Sequence, residues 1–477
     1  MIRKVILAIL FSGISTAMFA QAKVWSLEDC IAHAHKHNLQ IQQNELNERL
    51  SRLTLRQAQL SQLPNVSSDV SAGRSFGRSV DPTTNLFSNL NYNYLSASAN
   101  ANVLVFGWFQ KRNQINQNKN DLLATQSNNE KLQNDIYLNI ANGYLRVLVA
   151  KEQLNVSASQ IALTTAQLNQ TQKKVDAGQL PLLNSAQLEA QLATDSSTYI
   201  GAQNEVTLAI LQMKALLNLD FEAPFEIDAP PVDISGVGGW QDKTAEGVYF
   251  TALNLQPGIK SSEYKLDAAR YALKSARGAL YPQLGLGASA GTNFSTTVKE
   301  ITGASLAGAQ PTGSYIDVNG ALYPVYQPTF DYTTHMTPFG KQLDHNFRQT
   351  VAFSLSVPLF NGWNARRNVE QAKISIQSQK LNVEQTKLQL RQDIYKAYAD
   401  ATASARQYYA SEKAVTASQT AFDFSTKRYD LGLINIVDYL TTQNSLTQAK
   451  AKMLNAKYDY IFKVKLLEFY EGQQLKL

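Results

Sequence analysis

Apolar residues recur every seven positions over two long stretches of the chain. One runs through Ile140, Val147, Leu154, Ile161, Leu168 and Val175, the other through Ile394, Ala401, Tyr408, Val415, Phe422 and Tyr429. A period of seven marks helices that pack along a narrow seam. Each stretch ends in an Asp-x-Gly break, Asp176-Ala177-Gly178 and Asp430-Leu431-Gly432, and the period then resumes through Leu192, Tyr199, Val206 and Met213 or Leu446, Met453, Tyr460 and Leu467. The pattern predicts two antiparallel helical hairpins, with helices over 107–175 and 182–218 and over 363–430 and 436–470. At 1.5 Å per residue the first helix of each hairpin extends about 100 Å, longer than a compact globule needs.

The two stretches are copies. An offset of 254 residues relates Gly178 to Gly432, Phe106 to Phe360 and Tyr144 to Tyr398. Such self-similarity divides the chain into a first repeat, 21–219, and a second, 254–477, joined by a linker and equatorial segment, 220–253. Each repeat opens with a shorter helix, seamed by Leu39, Leu46, Leu53 and Leu60 or by Ile259, Leu266, Leu273 and Leu280. Each of these helices is stopped by a proline, Pro64 or Pro282, which has no N–H for the helical ladder.

Beyond the prolines the period falls from seven to two, predicting strands over 65–76, 95–105, 283–294 and 347–359. In the last, Phe347, Gln349, Val351, Phe353, Leu355, Val357 and Leu359 alternate with Arg348, Thr350, Ala352, Ser354 and Ser356. Strands of about 9 to 11 residues, apolar on one face and polar on the other, are what a membrane barrel requires. Four cannot close a water-filled barrel, so several protomers must contribute. The segments between paired strands, 77–94 and 295–346, read as polar, aromatic-bearing loops.

The opening MIRKVILAILFSGISTAMFA, residues 1–20, carries Arg3 and Lys4, an apolar run and a small-residue end, and reads as a signal peptide. No later stretch approaches a membrane-spanning helix. Cys30 is the one cysteine of the sequence, which excludes an internal disulfide. The net charge of +6 is scattered, and export argues against nucleic acid as a partner. Gly287-Ala288-Ser289-Ala290-Gly291 imitates a hydrolase nucleophile motif but falls inside an alternating strand. His33, His35 and His37 lack a third metal ligand and read as helix-end residues. No catalytic residue, cofactor site or metal site follows, and the chain reads as a non-enzyme.

At this point the sequence resembles the TolC family of outer-membrane efflux and type I secretion channels. The features that carry the likeness are VPLFNGW (Val357 to Trp363), its echo VLVFGW, RYDLGLINIVDYL (Arg428 to Leu440) and VDAGQLPLLNSAQL (Val175 to Leu188). The resemblance implies a mainly α protein with a membrane β-barrel: a homotrimer with twelve strands, four per chain, continued by a long periplasmic helical barrel with coiled-coil hairpins. It implies outer-membrane lipid around the barrel, a periplasmic adaptor and an inner-membrane pump of the RND or ABC type. It places adaptor docking at Ala177, Gly178, Gln179, Leu431, Gly432 and Leu433, and a periplasmic gate at Tyr429, Asp438, Asn184 and Thr441. Ile434 stands where some members carry arginine, and Thr441 where they carry a second aspartate. A solvated helix charge is the alternative for Asp438, and a purely structural turn for the glycines. A coiled-coil scaffold without a pore, or an adhesin using 295–346, are the alternatives for the whole chain.

Overall fold

The computed structural model describes residues 24–80, 87–89, 91–228 and 240–473. The expected signal peptide lies outside them, as does the middle of the expected linker. The chain divides into two compact units. One gathers the described residues of Met1–Leu53, Lys119–Ala269 and Ser375–Leu477, the other Thr54–Asn118 and Arg270–Ile374.

In chain order the elements are β1 (Val24–Trp25), α1 (Leu27–His37), α2 (Leu39–Leu60), β2 (Asn65–Ser75), β3 (Arg78–Val80), β4 (Phe87–Asn89), β5 (Tyr92–Phe106), α3 (Gln110–Asp176), α4 (Leu182–Leu217) and β6 (Glu226–Ile227). There follow α5 (Ala245–Leu255), α6 (Pro257–Gly278), β7 (Gln283–Ser295), β8 (Lys299–Val318), β9 (Ala321–Met336), α7 (Phe339–His345), β10 (Arg348–Ser356), α8 (Asn364–Asp430) and α9 (Ile436–Tyr470).

In the larger unit the heptad positions form the core. Ile140 and Val147 of α3, Met213 of α4, Ile394, Ala401 and Tyr408 of α8, and Tyr460 and Leu467 of α9 are all buried. Cys30 is fully buried on α1 with Ala34, packed against α3 and α4. His33 lies edge-on to Trp25 and stacks on His37, while His35 bonds the Tyr137 hydroxyl at 2.8 Å. The described ends of 220–253 are docked rather than loose: β6 pairs in parallel with β1, the Tyr144 hydroxyl donates to the Asp228 carbonyl at 2.6 Å, and Trp240 is buried against Tyr398 and Tyr460.

The shorter helices differ from expectation. Within this unit α2, α3, α6 and α8 lie in a row. Gln126 of α3 donates to Glu48 of α2 at 3.0 Å, Ser261 of α6 donates to the Ala124 carbonyl of α3 at 2.9 Å, and Lys387 of α8 pairs with Glu263 of α6 at 3.9 Å. Ile259 packs as a seam residue, but Leu39, Leu46 and Leu53 of α2 are exposed instead of buried. At the other end of the row α8 exposes Leu381, Leu388 and Tyr395, again at spacings of seven. Both end helices therefore keep an apolar stripe that no described residue covers.

In the smaller unit four strands form an antiparallel sheet in the order β10-β7-β5-β2. Its register sorts the faces. Val66, Ala101, Ala288 and Val351 share one cross-strand row, and Val103, Leu286 and Phe353 share another on the same face. The opposite face carries Ser67, Asn100, Ser289 and Thr350 in one row and Asp69, Ser98, Gly291 and Arg348 in another. Since side chains alternate across a strand, a shift of one residue in any strand would mix these faces.

The segment 295–346 is not a loop. It holds a long hairpin, β8 paired with β9, followed by α7. Its sequence hides this because the pairing slips at Ile301/Gly303, Leu306/Gly308 and Pro311/Tyr315, and each slip resets the alternation that marks a strand. Gln342 of α7, fully buried, roots the hairpin by accepting from the Ser295 amide at 3.0 Å and donating to the Ser295 and Thr337 carbonyls. In the first of these segments β3 and β4 form a smaller pair.

Candidate functional site

The site is built where the long helices reverse. Both reversals close by the same hydrogen bonds. After α3, the Gly178 amide donates to the Val175 carbonyl and the Gln179 amide to the Lys174 carbonyl, each at 2.8 Å. After α8, Gly432 donates to Tyr429 at 3.0 Å and Leu433 to Arg428 at 2.8 Å. This pair of bonds, from the two residues past a helix end, needs a left-handed residue between them. Gly178 at φ +69° and Gly432 at φ +71° supply it. The next helices start differently: Pro181 precedes α4, whereas the Asn435 side chain caps α9 by accepting from the Asp438 amide at 2.8 Å.

The six expected docking residues are all exposed at these turns, Leu431 by 74% and Leu433 by 64%. Leu182, Leu183 and Val437 add further exposed apolar surface on the adjoining first turns.

The four expected gate residues do not converge. Tyr429 is buried, stacked on Tyr439 with ring centroids 5.0 Å apart and its hydroxyl 3.5 Å from that of Thr171. Asp438 and Thr441 lie exposed on α9, one turn apart, and Asn184 is half-buried on α4. Among the described residues no hydrogen bond or ion pair joins Tyr429 to any of the other three. Burial pushes the Tyr439 phenol up to about 12.

The polar ties between the hairpins lie elsewhere. Asp430 accepts from Gln170 at 3.2 Å and pairs with Lys174 at 3.6 Å, so α8 is joined to α3 just before both reversals. Its counterpart in the first copy, Asp176, is bonded only one turn back, by Gln172 at 2.8 Å. Higher along the hairpins Asp195 of α4 is buried and accepts from the Thr164 hydroxyl at 2.6 Å and from Gln191 at 2.8 Å. Gln443 of α9 donates to the same Thr164 hydroxyl at 3.0 Å, and Thr447 donates to Gln160 at 2.8 Å. Sequence reading used Asp430 only as a marker of the break. The duplication gave a signal, since Lys174 and Gln170 lie opposite it once the copies are folded side by side.

The serine of the hydrolase-like motif is not presented as a nucleophile. Ser289 sits in mid-strand on β7, opposite Thr350 and Asn100, without the strand-turn-helix a nucleophile needs. Among the described residues no group of three His, Cys, Asp or Glu is placed to hold a metal ion, and no helix is long and apolar enough to cross a membrane.

The chain thus combines a sheet with one apolar and one polar face and two helices of 67 residues tied by polar layers. Residues 30–219 and 248–472 match the outer membrane efflux protein family, and the chain belongs to that family. It is a TolC-like protein of the outer membrane. It is 22% identical over 330 residues to the outer membrane protein TolC of Escherichia coli, covering 69% of this chain and 59% of the relative. To the outer membrane efflux protein BepC of Brucella suis it is 21% identical over 458 residues, covering 95% of this chain and 86% of the relative. To the alkaline protease secretion protein AprF of Pseudomonas aeruginosa it is 21% identical, covering 71% and 61%. The match thus spans about three fifths of the TolC and AprF relatives. The fold is shared with the solved structures of CusC, at a TM-score of 0.75 and 17% identity over 94% of this chain and 92% of that one, and of VceC from Vibrio cholerae, at 0.72 and 16% over 94% and 97%.

Proposed function

We propose that this chain is the exit duct of a tripartite efflux or type I secretion assembly. Three copies close a twelve-stranded barrel across the outer membrane, and their long helices form a tube in the periplasm. Substrates pass through it passively when a periplasmic adaptor and an inner-membrane pump, of the RND or ABC type, dock at the tips.

The observation that carries this reading is the sheet. It is apolar on one face and polar on the other, as a wall between lipid and water must be. Among the described residues it also ends in two bare edges, β2 and β10, whose backbone groups would be unpaired in a bilayer. Only closure on other copies satisfies both. The leucine stripes at the two ends of the helical row, on α2 and α8, make the same demand on the helical side and fit one another in spacing. A scaffold without a pore would leave the apolar face of the sheet in water.

The exposed turns at Ala177, Gly178, Gln179, Leu431, Gly432 and Leu433 suit adaptor docking, since they are open to solvent and Leu431 and Leu433 expose most of their apolar surface there. Asp438 and Thr441 are free to line a constriction, with Asn184 nearer the packed interior. Tyr429 supports α9 from behind rather than facing a pore. Efflux is named for the BepC relative and secretion for AprF. The test is native mass and planar-bilayer recording of protein extracted from outer membranes. A trimer with unitary current is expected. A water-soluble monomer without current overturns the proposal.

A further inference from the structure

The hairpin β8–β9 has no part in the channel reading above. Its tip is closed by Asn319-Gly320, both left-handed at φ +57° and +85°, with the Gly320 amide donating to the Asp317 carboxylate at 2.8 Å. Two left-handed residues in a row match the twist of the strands they join. The root is fixed as well. Lys341 of α7 pairs with Glu300, and Phe339 of α7 meets Phe294 of β7 edge-on, with ring centroids 5.0 Å apart. Between root and tip no residue from Ile301 to Met336 is buried. A two-stranded ribbon with both faces in water is marginal by itself, so one face calls for a cover.

The two faces differ. β9 turns Tyr326, Phe330 and Tyr332 to one side, and the register sets Pro311, Leu306 and Ala304 opposite them. Ile301 and Tyr315 of β8 join this face through their pairs Thr334 and Pro324. Between Ile301 and Tyr315 it carries no charged residue. The other face is polar over the same span, with Ser305 against Asp331 and Gln310 against Gln327. Ile301, Leu306, Tyr315, Tyr326, Phe330 and Tyr332 are all exposed, and together they leave roughly 600 Å² of apolar side chain open. That matches the largest patch of a typical monomer and approaches the ~800 Å² that each partner gives to a stable interface. Addition of a further strand is disfavoured, because Pro324 and Pro328 interrupt the row of donors along the outer edge of β9. The surface is built to be covered face-on.

We propose that this aromatic face packs against the next copy of the chain, making a contact between subunits outside the membrane and separate from the barrel wall. The occupant follows from position. The hairpin leaves β7 at the end away from α6 and returns through α7 to β10, an edge strand of the sheet. In the barrel reading above, on which this inference rests, β10 meets β2 of the next copy. The β3–β4 pair follows β2 at the same end of the sheet as the hairpin, since Ser75 is registered with Tyr92, and Tyr94 with Ser295. That pair exposes Phe87 and Val80, so the nearest surface across the seam is itself apolar. A charged partner would find nothing to pair with between Ile301 and Tyr315, whereas a second copy brings a surface of matching character.

The test uses the full mature protein extracted from outer membranes, with a photoreactive benzoylphenylalanine in place of Phe330 at the centre of the face. The same replacement at Tyr323, on the opposite face, is the control. Light should join the Phe330 position to a second copy, seen as a dimer of the chain on a denaturing gel, at several-fold the yield from Tyr323. A second measurement needs no substitution. Tyr326, Tyr332 and Tyr323 are 58%, 57% and 58% exposed in the single chain, so hydroxyl radicals should oxidise them alike if both faces are open. In the assembled protein Tyr326 and Tyr332 should react several-fold more slowly than Tyr323. Equal rates at the three tyrosines, equal or absent dimer yields, or a link to a different protein in cells overturns the contact while leaving the barrel intact. Protein recovered as a monomer sinks the barrel reading and the inference together.

Discussion

Lys174 and Asp430 face each other across two helices that are 256 positions apart in sequence, with the ammonium nitrogen 3.6 Å from the carboxylate. Lys174 stands two residues before the end of α3 and Asp430 is the last residue of α8, so the pair ties the hairpins where any opening of the tips must begin. It is partly solvated, 28% and 43% exposed, and an ion pair in that setting contributes about 0.2–1 kcal/mol. Lys174→Ala should therefore raise the resting open probability by no more than about fivefold, and exchange of the two residues should restore it. Single-channel recording at low and high salt checks this. An effect that does not weaken with salt would assign the role to the Gln170 bond instead.

The stack of Tyr429 on Tyr439 makes an alkaline prediction. Burial raises the Tyr439 phenol from 10.0 to about 12, so the folded chain holds this proton longer than the unfolded chain does. Below pH 10 both states are protonated and stability does not depend on this group. Between about 10 and 12 the unfolded state alone loses its proton, and stability falls with rising pH by up to ~1.4 kcal/mol per pH unit for one tyrosine. Tyr470, also raised to about 12 by burial, adds to the slope. Tyr439→Phe should flatten the slope by one tyrosine's share, measured by denaturant unfolding followed through helical circular dichroism at pH 9 to 12.

Asp195 is a carboxylate buried among neutral donors. It depends on the Thr164 hydroxyl, which also accepts from Gln443, so one oxygen couples α3, α4 and α9. Thr164→Val keeps the shape, removes the 2.6 Å bond to the carboxylate and should cost about 1.5–3 kcal/mol, the range for bonds to charged groups. Gln443→Leu should cost less alone and show a coupling energy with Thr164→Val, because the two side chains share that hydroxyl. Additive losses in the double-mutant cycle would mean that the layer is three separate contacts.

How far the sequence reached depended on whether a feature leaves a period. Seven-residue spacing shows through Ile394, Ala401 and Tyr408, and two-residue alternation through Val351, Phe353 and Leu355, because burial on one face repeats at a fixed interval. The hairpin β8–β9 escaped because three slips break its alternation. The exposed Leu39, Leu46 and Leu53 escaped for the opposite reason: the period reports that a face is apolar, not whether its partner belongs to the same chain. The buried Asp195 layer and the Lys174–Asp430 tie are single contacts between distant positions, and a single contact has no period. The gate residues were placed by family likeness, and the structure separates Tyr429, in the packed interior, from Asp438 on the open face of α9.

The two turn glycines can be separated from any docking role because their cost is purely local. A Cβ at Gly178 or Gly432 would meet no atom within 4 Å, so the penalty of substitution is that of a left-handed backbone, about 1–2 kcal/mol for an ordinary residue. Asparagine visits that conformation with little cost. Gly432→Ala should therefore lower the stability of the helical unit by about 1 kcal/mol, while Gly432→Asn should leave it nearly unchanged. If the turn is also the adaptor contact, Gly432→Asn should still weaken export in cells, because the exposed patch around Leu431 and Leu433 gains a polar side chain at its centre. Export that tracks stability alone across Gly432→Ala, Gly432→Asn and the matching pair at Gly178 would reduce both glycines to structural turns and move docking to the helix flanks.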